Sequence, residues 1–225
     1  MKARLKELGE EFRAVFAGRG TLADSVIPPF IFLIVNWLFG FDYALWASLL
    51  TALLTSLFRL SRRQPLRYAL GGLGGAVLAS LSARLLGRAE GAFLPGAITG
   101  MLTAAICGVS VVAGRPLVAW TSHITRRWPL GWYWHPKVRP AYSEVTIVWT
   151  VFFSVKLAVQ LLYFQRAQAS ALAIVNAIAG WPATVVLLVL SYLYGLWRLG
   201  HLRGPSVAEF TAGAAPPWTG QRRGF

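Results

Sequence analysis

Residues 145–164 read VTIVWTVFFSVKLAVQLLYF, twenty consecutive positions that carry one charge, Lys156. An α-helix needs about 20 predominantly apolar residues to cross the hydrocarbon core of a bilayer. A helix apolar on every side belongs inside a large core or inside a membrane. Five further apolar runs fall at about 25–39, 43–58, 68–86, 94–112 and 171–196. The sequence therefore predicts an all-α membrane protein with six transmembrane helices over residues 21–198. Pro28 and Pro29 make the entry to the first helix irregular, since proline removes a backbone donor.

Composition agrees. The 225 residues are 56% hydrophobic and 13% charged, against about 25% charged in soluble domains. A formal charge of +14 would suggest nucleic acid in a soluble protein, but here the bases sit in short clusters between apolar runs. No solvated basic domain is left to hold a nucleic acid. Cys107 is the single cysteine and lies in an apolar run, so no disulfide forms within the chain.

Those basic clusters orient the helices. Eighteen of the 22 lysines and arginines fall before helix 1, between helices 2 and 3, between helices 4 and 5, and from Arg198 onward. By the positive-inside rule both termini are cytoplasmic. Residues 1–20 lack the apolar segment of a signal peptide. Leu5, Leu8, Phe12, Val15 and Phe16 recur instead at helical spacing, which predicts an amphipathic helix on the membrane surface.

The 4–5 connection, residues 115–142, is rich in aromatic and basic residues. Leu117, Trp120, Ile124 and Trp128 form a helical stripe suited to an interfacial anchor. Arg126, Arg127, Lys137 and Arg139 are placed to meet acidic lipid headgroups, and Trp132, Tyr133, Trp134 and Tyr142 suggest an aromatic belt. Residues 199–225 read as a cytoplasmic tail, disordered from 204 because Pro, Gly and Ala dominate it.

Three helices carry a small residue at every fourth position: Ala44, Ser48, Ala52, Ser56; Gly71, Gly75, Ala79, Ala83; Gly96, Gly100, Ala104, Gly108. Such faces let helix backbones approach closely in lipid, which predicts helices 2, 3 and 4 at the centre of the bundle. The same faces would equally serve a homo-oligomer. The GGLGG at 71–75 lacks the preceding strand and terminal Lys-Ser/Thr of a phosphate loop, so its glycines are read as packing residues.

Polar side chains in hydrocarbon are costly and mark function or packing. At about 1.5 Å per residue, Lys156 lies about 3 Å outward of the bilayer midplane. Asn36, Gln160, Asn176 and Arg84 lie roughly 6–10 Å outward, and Asp42 opens helix 2 on the outer side. These six residues predict an outward-opening cavity for a small polar or anionic solute, with Lys156 at its base. The competing reading has Lys156 snorkelling outward while the polar set merely joins helices. His123, His135 and His201 have no carboxylate or cysteine at ligand spacing, and Ser110 lacks a nucleophile elbow. Neither an enzyme nor a cofactor is predicted.

Several segments, DSVIPPFIFLIVN at 24–36, FLPG at 93–96, GRPLV at 114–118, RPAYSEVTIVW at 139–149, KLAVQLLYF at 156–164 and GWP at 180–182, resemble the bacterial membrane family called domain of unknown function number 3159. That family is distantly similar to intracellular septation protein A. The resemblance implies a bacterial cytoplasmic (inner) membrane and about six helices, with no established activity. Two functions stay open: transport or binding of a solute through the polar cavity, or a non-transporting scaffold for envelope or division machinery that uses the 115–142 loop and the tail.

Overall fold

The computed structural model describes residues 31, 34–61, 66–221 and 223–225, all of them helix, turn or coil. The surface helix expected over 1–20 and most of the first apolar run lie outside the described residues. Among the described residues, three helical stretches are long and apolar enough to cross a membrane: Ala89–Val112, Arg139–Gln165 and Ala169–Leu202. Asp42–Phe58 and Leu73–Leu86 are shorter apolar helices. The chain divides into two compact units, one holding the described residues up to Pro95 with Tyr163–Ala177, the other Gly96–Leu162 with Ile178–Phe225.

In the first unit, α1 (Phe41–Ser61) packs on α2 (Leu66–Leu86), and α2 on a 3-10 turn at Ala89–Phe93. The small face of α1 is the buried one, with Ala44, Ser48 and Ala52 all inside. Its hydroxyls are satisfied locally: Ser48 Oγ donates to the Leu45 carbonyl at 2.9 Å and Thr51 Oγ1 to the Ala47 carbonyl at 2.7 Å. Such back-bonding lets hydroxyls sit among apolar neighbours. Trp46, Leu50, Leu54 and Phe58 point outward, the arrangement a lipid-facing helix requires. Among the described side chains of the expected tight face of α2, Ala83 near its end is the buried one. Ala83 is wholly buried against Ala44 and Leu45, whereas a Cβ at Gly74 or Gly75 would meet nothing within 4 Å. Gly87, at φ +64°, ends α2 in the left-handed conformation that favours glycine.

Gly91, in the 3-10 turn, lies close against α2. A Cβ on Gly91 would lie 2.7 Å from both the Ala83 Cα and the Ser82 carbonyl oxygen. The unit also includes α7 (Ala169–Ile178) up to Ala177.

The second unit holds α3 (Leu94–Val112) from Gly96 onward, α4 (Leu117–Arg126), α5 (Leu130–Tyr133), α6 (Arg139–Gln165) up to Leu162, α8 (Trp181–Leu202) and α9 (Val207–Thr211). At 27 residues, α6 is about 40 Å long. It begins before the apolar run, so the end of the expected loop is already helical. The small face of α3 meets α6: a Cβ on Gly108 would touch Thr150 Cγ2 at 3.6 Å, and one on Gly100 would stand 3.9 Å from Gln160 Oε1. A pattern of small residues announces a close contact without naming its partner. The expected grouping of helices 2, 3 and 4 did not include this pairing with the fifth.

The sixth predicted helix is two elements, α7 and α8, separated at Ala179 and Gly180. Pro182 has no N–H to give the Ile178 carbonyl, so the ladder cannot continue. Gly180 caps α8, its carbonyl accepting the Thr184 N–H at 3.0 Å and the Thr184 hydroxyl at 2.7 Å. Beyond α8, where the sequence predicts disorder, the described residues 203–221 and 223–225 hold a further helix and buried positions. Ser206 and Glu209 form a reciprocal capping box at the start of α9, and Gly204, Pro205, Gly220 and Gly224 are buried.

Candidate functional site

The six residues singled out as a solute site divide between the units. Lys156 and Gln160 belong to the second; Asn36, Asp42, Arg84 and Asn176 belong to the first. Asp42 and Arg84 are exposed. The Asn176 amide donates to the Leu172 carbonyl of its own helix at 2.8 Å, and the Asn36 backbone oxygen accepts from the Gly40 N–H at 3.2 Å. What the structure places together is therefore the pair on α6. Gln160 is buried, and half-buried Lys156 stands one turn before it on the same face. Among the described residues, none forms a hydrogen bond or ion pair with the Lys156 ammonium.

A second cluster lies at the other end of α6, where the sequence suggests an interfacial belt rather than a core. Pro116 introduces α4, whose first free N–H groups go to side chains: Leu117 N to Ser110 Oγ at 3.0 Å, Val118 N to Thr146 Oγ1 at 3.3 Å. This fixes α4 against α3 and α6. Val118, Ala119 and Ser122 face inward, while Trp120 and Ile124 are exposed, as an interfacial anchor would be. The other aromatics depart from the expected belt. Trp132, Tyr133 and Tyr142 are 0% exposed and form the centre of a core with Val138, Ala141, Val145 and Leu199. Tyr142 stands 5.1 Å from Tyr133 and 6.1 Å from Trp132, in both cases edge to face, the preferred geometry for aromatic pairs.

The polar tips of these rings explain why they can be inside. Trp132 Nε1 donates to the Pro205 carbonyl at 2.8 Å, and the Tyr133 hydroxyl pairs with Ser122 Oγ at 3.1 Å. Burial pushes the Tyr133 phenol up, partly opposed by the Ser122 bond and the Arg126 charge. Pro205 belongs to the folded tail, which supplies the cover. Phe210 and Trp218 bracket His135, with Trp218 at 5.3 Å, and Lys137 Nζ lies 5.4 Å over the Trp218 ring. Burial and the Lys137 charge hold the His135 imidazole below its ordinary value. The neutral ring can then accept the Lys137 N–H at Nδ1, 3.2 Å away. Glu209 accepts from the backbone N–H groups of Thr219 and Ser206, both at 2.7 Å. Those bonds, with the Ser206 hydroxyl, pull its carboxyl down to about 2.

The tail ends in a slot. The Phe225 ring stacks on Tyr142 at 4.3 Å and 7°, over Gly195 of α8. Arg126 Nε donates to the Phe225 backbone oxygen at 3.1 Å, and its guanidinium lies 5.1 Å over the Trp128 ring. Arg126 is thus engaged by the tail, whereas Arg127, Lys137 and Arg139 are exposed. The sequence did carry one signal of this order: Ser206-Val-Ala-Glu209 has the spacing of a capping box.

No curated protein and no solved structure matches the chain. The family model described as Protein of unknown function (DUF3159) matches residues 16–196. With most of the chain matched, the protein belongs to that family.

Proposed function

We propose that the protein is a six-span protein of the bacterial inner membrane, with both termini cytoplasmic, that binds or carries a small polar or anionic solute. The observation that carries this reading is Lys156, a cation in the middle of a 27-residue apolar helix without a protein counter-ion among the described residues. A mid-membrane cation is costly, and its charge is normally matched by a partner or by what passes it. An anionic solute would supply the missing charge, and Gln160 would add hydrogen bonds one turn further along. Gly100 keeps the facing helix narrow beside Gln160. No enzymatic role is proposed.

The test is anion flux from proteoliposomes loaded with nitrate, acetate or phosphate. Flux of one of them should be kept by Lys156→Arg and fall at least about tenfold in Lys156→Gln, about 1.4 kcal/mol in the barrier. Equal flux in all three proteins, or none in any, would remove the proposal.

A scaffold function for envelope or division machinery is the second reading, favoured by the packing of the tail residues Pro205, Phe210, Trp218 and Phe225 on the 115–142 segment. Exposed Trp120 and Ile124 beside Arg127 and Arg139 would rest that segment on acidic headgroups. Crosslinking from Trp120 to lipid, and never to protein, would count against the scaffold.

A further inference from the structure

The slot that holds Phe225 is built to receive a ring. Its floor is Tyr142, wholly buried and parallel to the ring above it. Its wall is Gly195, where a Cβ would overlap the Phe225 ring. The ring thus takes the volume that any side chain at 195 would need. At the mouth, Arg126 is pinned over Trp128 and points Nε at the oxygen of the occupant. The approach is equally close: Gly224 has φ +76°, and a Cβ there would lie 2.7 Å from Trp128 Cη2 and 2.8 Å from Arg126 Nη1. Inside, the Tyr142 hydroxyl is buried beside Ser122.

Arg126, Trp128, Tyr142 and Gly195 all lie within the family-matched residues 16–196, whereas Phe225 lies beyond them. We propose that the slot is a binding site for a small aryl carboxylate, and that the tail of this chain occupies it as a competing internal ligand. The class follows from the occupant. Phe225 presents a ring and, two carbons away, a carbonyl carbon whose oxygen meets the guanidinium, which is the spacing of a 3-arylpropanoate. A carboxylate is preferred to a neutral oxygen there because charge-assisted bonds to arginine are roughly twice as strong as neutral ones. Because the tail must leave before the ligand enters, the apparent affinity of the intact chain is the slot's affinity reduced by the fraction of open tail.

The experiment uses the full chain with 4-fluorophenylalanine at position 225 and follows its fluorine resonance. 3-Phenylpropanoate should move that resonance to the solvent-exposed position, and 3-phenyl-1-propanol, which lacks the charge, should need about tenfold more. Phe225→Ala, read by tryptophan fluorescence, should bind 3-phenylpropanoate at least about tenfold tighter than the intact chain. Arg126→Gln in that background should lose the preference for the acid over the alcohol while still binding the ring. Binding by Phe225→Ala with that preference would support the site even if the intact tail held on. A resonance that stays put up to the solubility limit, together with no binding by Phe225→Ala, would overturn it. So would Phe225→Ala binding that does not distinguish the acid from the alcohol.

Discussion

Arg198 grips both carboxylate oxygens of Glu144, with Nε 2.7 Å from Oε2 and Nη2 2.7 Å from Oε1, while the Tyr194 hydroxyl donates to Oε2 at 2.7 Å. This ties α6 to α8 close to the aromatic core, and Trp149 Nε1 adds a bond to Ser191 Oγ at 2.8 Å further along the same pair of helices. The fork geometry gives a direction that a lysine could not reproduce. Each side chain remains about a third exposed, at 31% and 32%, so solvent weakens the attraction. Glu144→Gln and Arg198→Lys should each lower thermal stability in detergent, and the double variant should fall little below the worse single one. Additive losses would show that the two residues act separately.

Glycines with opposite surroundings should respond oppositely to one methyl group. Gly91→Ala drives a Cβ into the Ala83 backbone and should cost about 1–3 kcal/mol. Gly75→Ala adds its Cβ in open space and should be neutral or stabilising by up to about 1 kcal/mol through helix propensity. Denaturation midpoints of the two variants in one detergent check the signs.

Removing the polar tip of Trp132 separates its bond from its bulk. Trp132→Phe loses the bond to Pro205 and should cost about 1 kcal/mol; Trp132→Ala should cost about 3–5 kcal/mol. Hydrogen exchange in residues 203–221 should accelerate in both, because the tail is what the indole holds.

The pH response of the tail follows from Glu209, whose carboxyl is brought from its ordinary 4.5 to about 2 by the Thr219 and Ser206 bonds. A depressed carboxylate favours the folded form above its unfolded value. Its contribution is therefore complete above about 4.5 and lost as pH falls toward about 2. Trp218 emission should report tail release across that window. Glu209→Gln should flatten the response, and an unchanged profile would rule this cause out.

Much of the architecture is legible in the sequence because long apolar runs have few alternatives: residues 145–164 are helical throughout, and Ala44, Ser48 and Ala52 mark a buried face in advance. The break between α7 and α8 was hidden by continuous hydrophobicity, which outweighs one Gly-Trp-Pro when runs are read by length. Trp132, Tyr133 and Tyr142 were ambiguous for a physical reason: a ring with a polar tip suits a membrane interface and a bonded core equally. What decides between them is the cover, and a tail poor in large apolar residues gave little sign of folding beyond its capping box. Helical spacing joins Lys156 to Gln160, but depth is all that links the other four candidate residues to them. Depth places residues in a layer but not beside one another, and four of the six fall in the other unit.

The central claim, a solvent-reachable cation at Lys156, is tested most directly by placing a cysteine there. Lys156→Cys in a Cys107→Ser background, treated in intact cells with a membrane-impermeant thiol reagent, should label rapidly and be protected by the anion that the flux assay selects. Absence of labelling, while a cysteine placed at the exposed position of Arg88 reacts normally, would contradict the account and make Lys156 a structural residue.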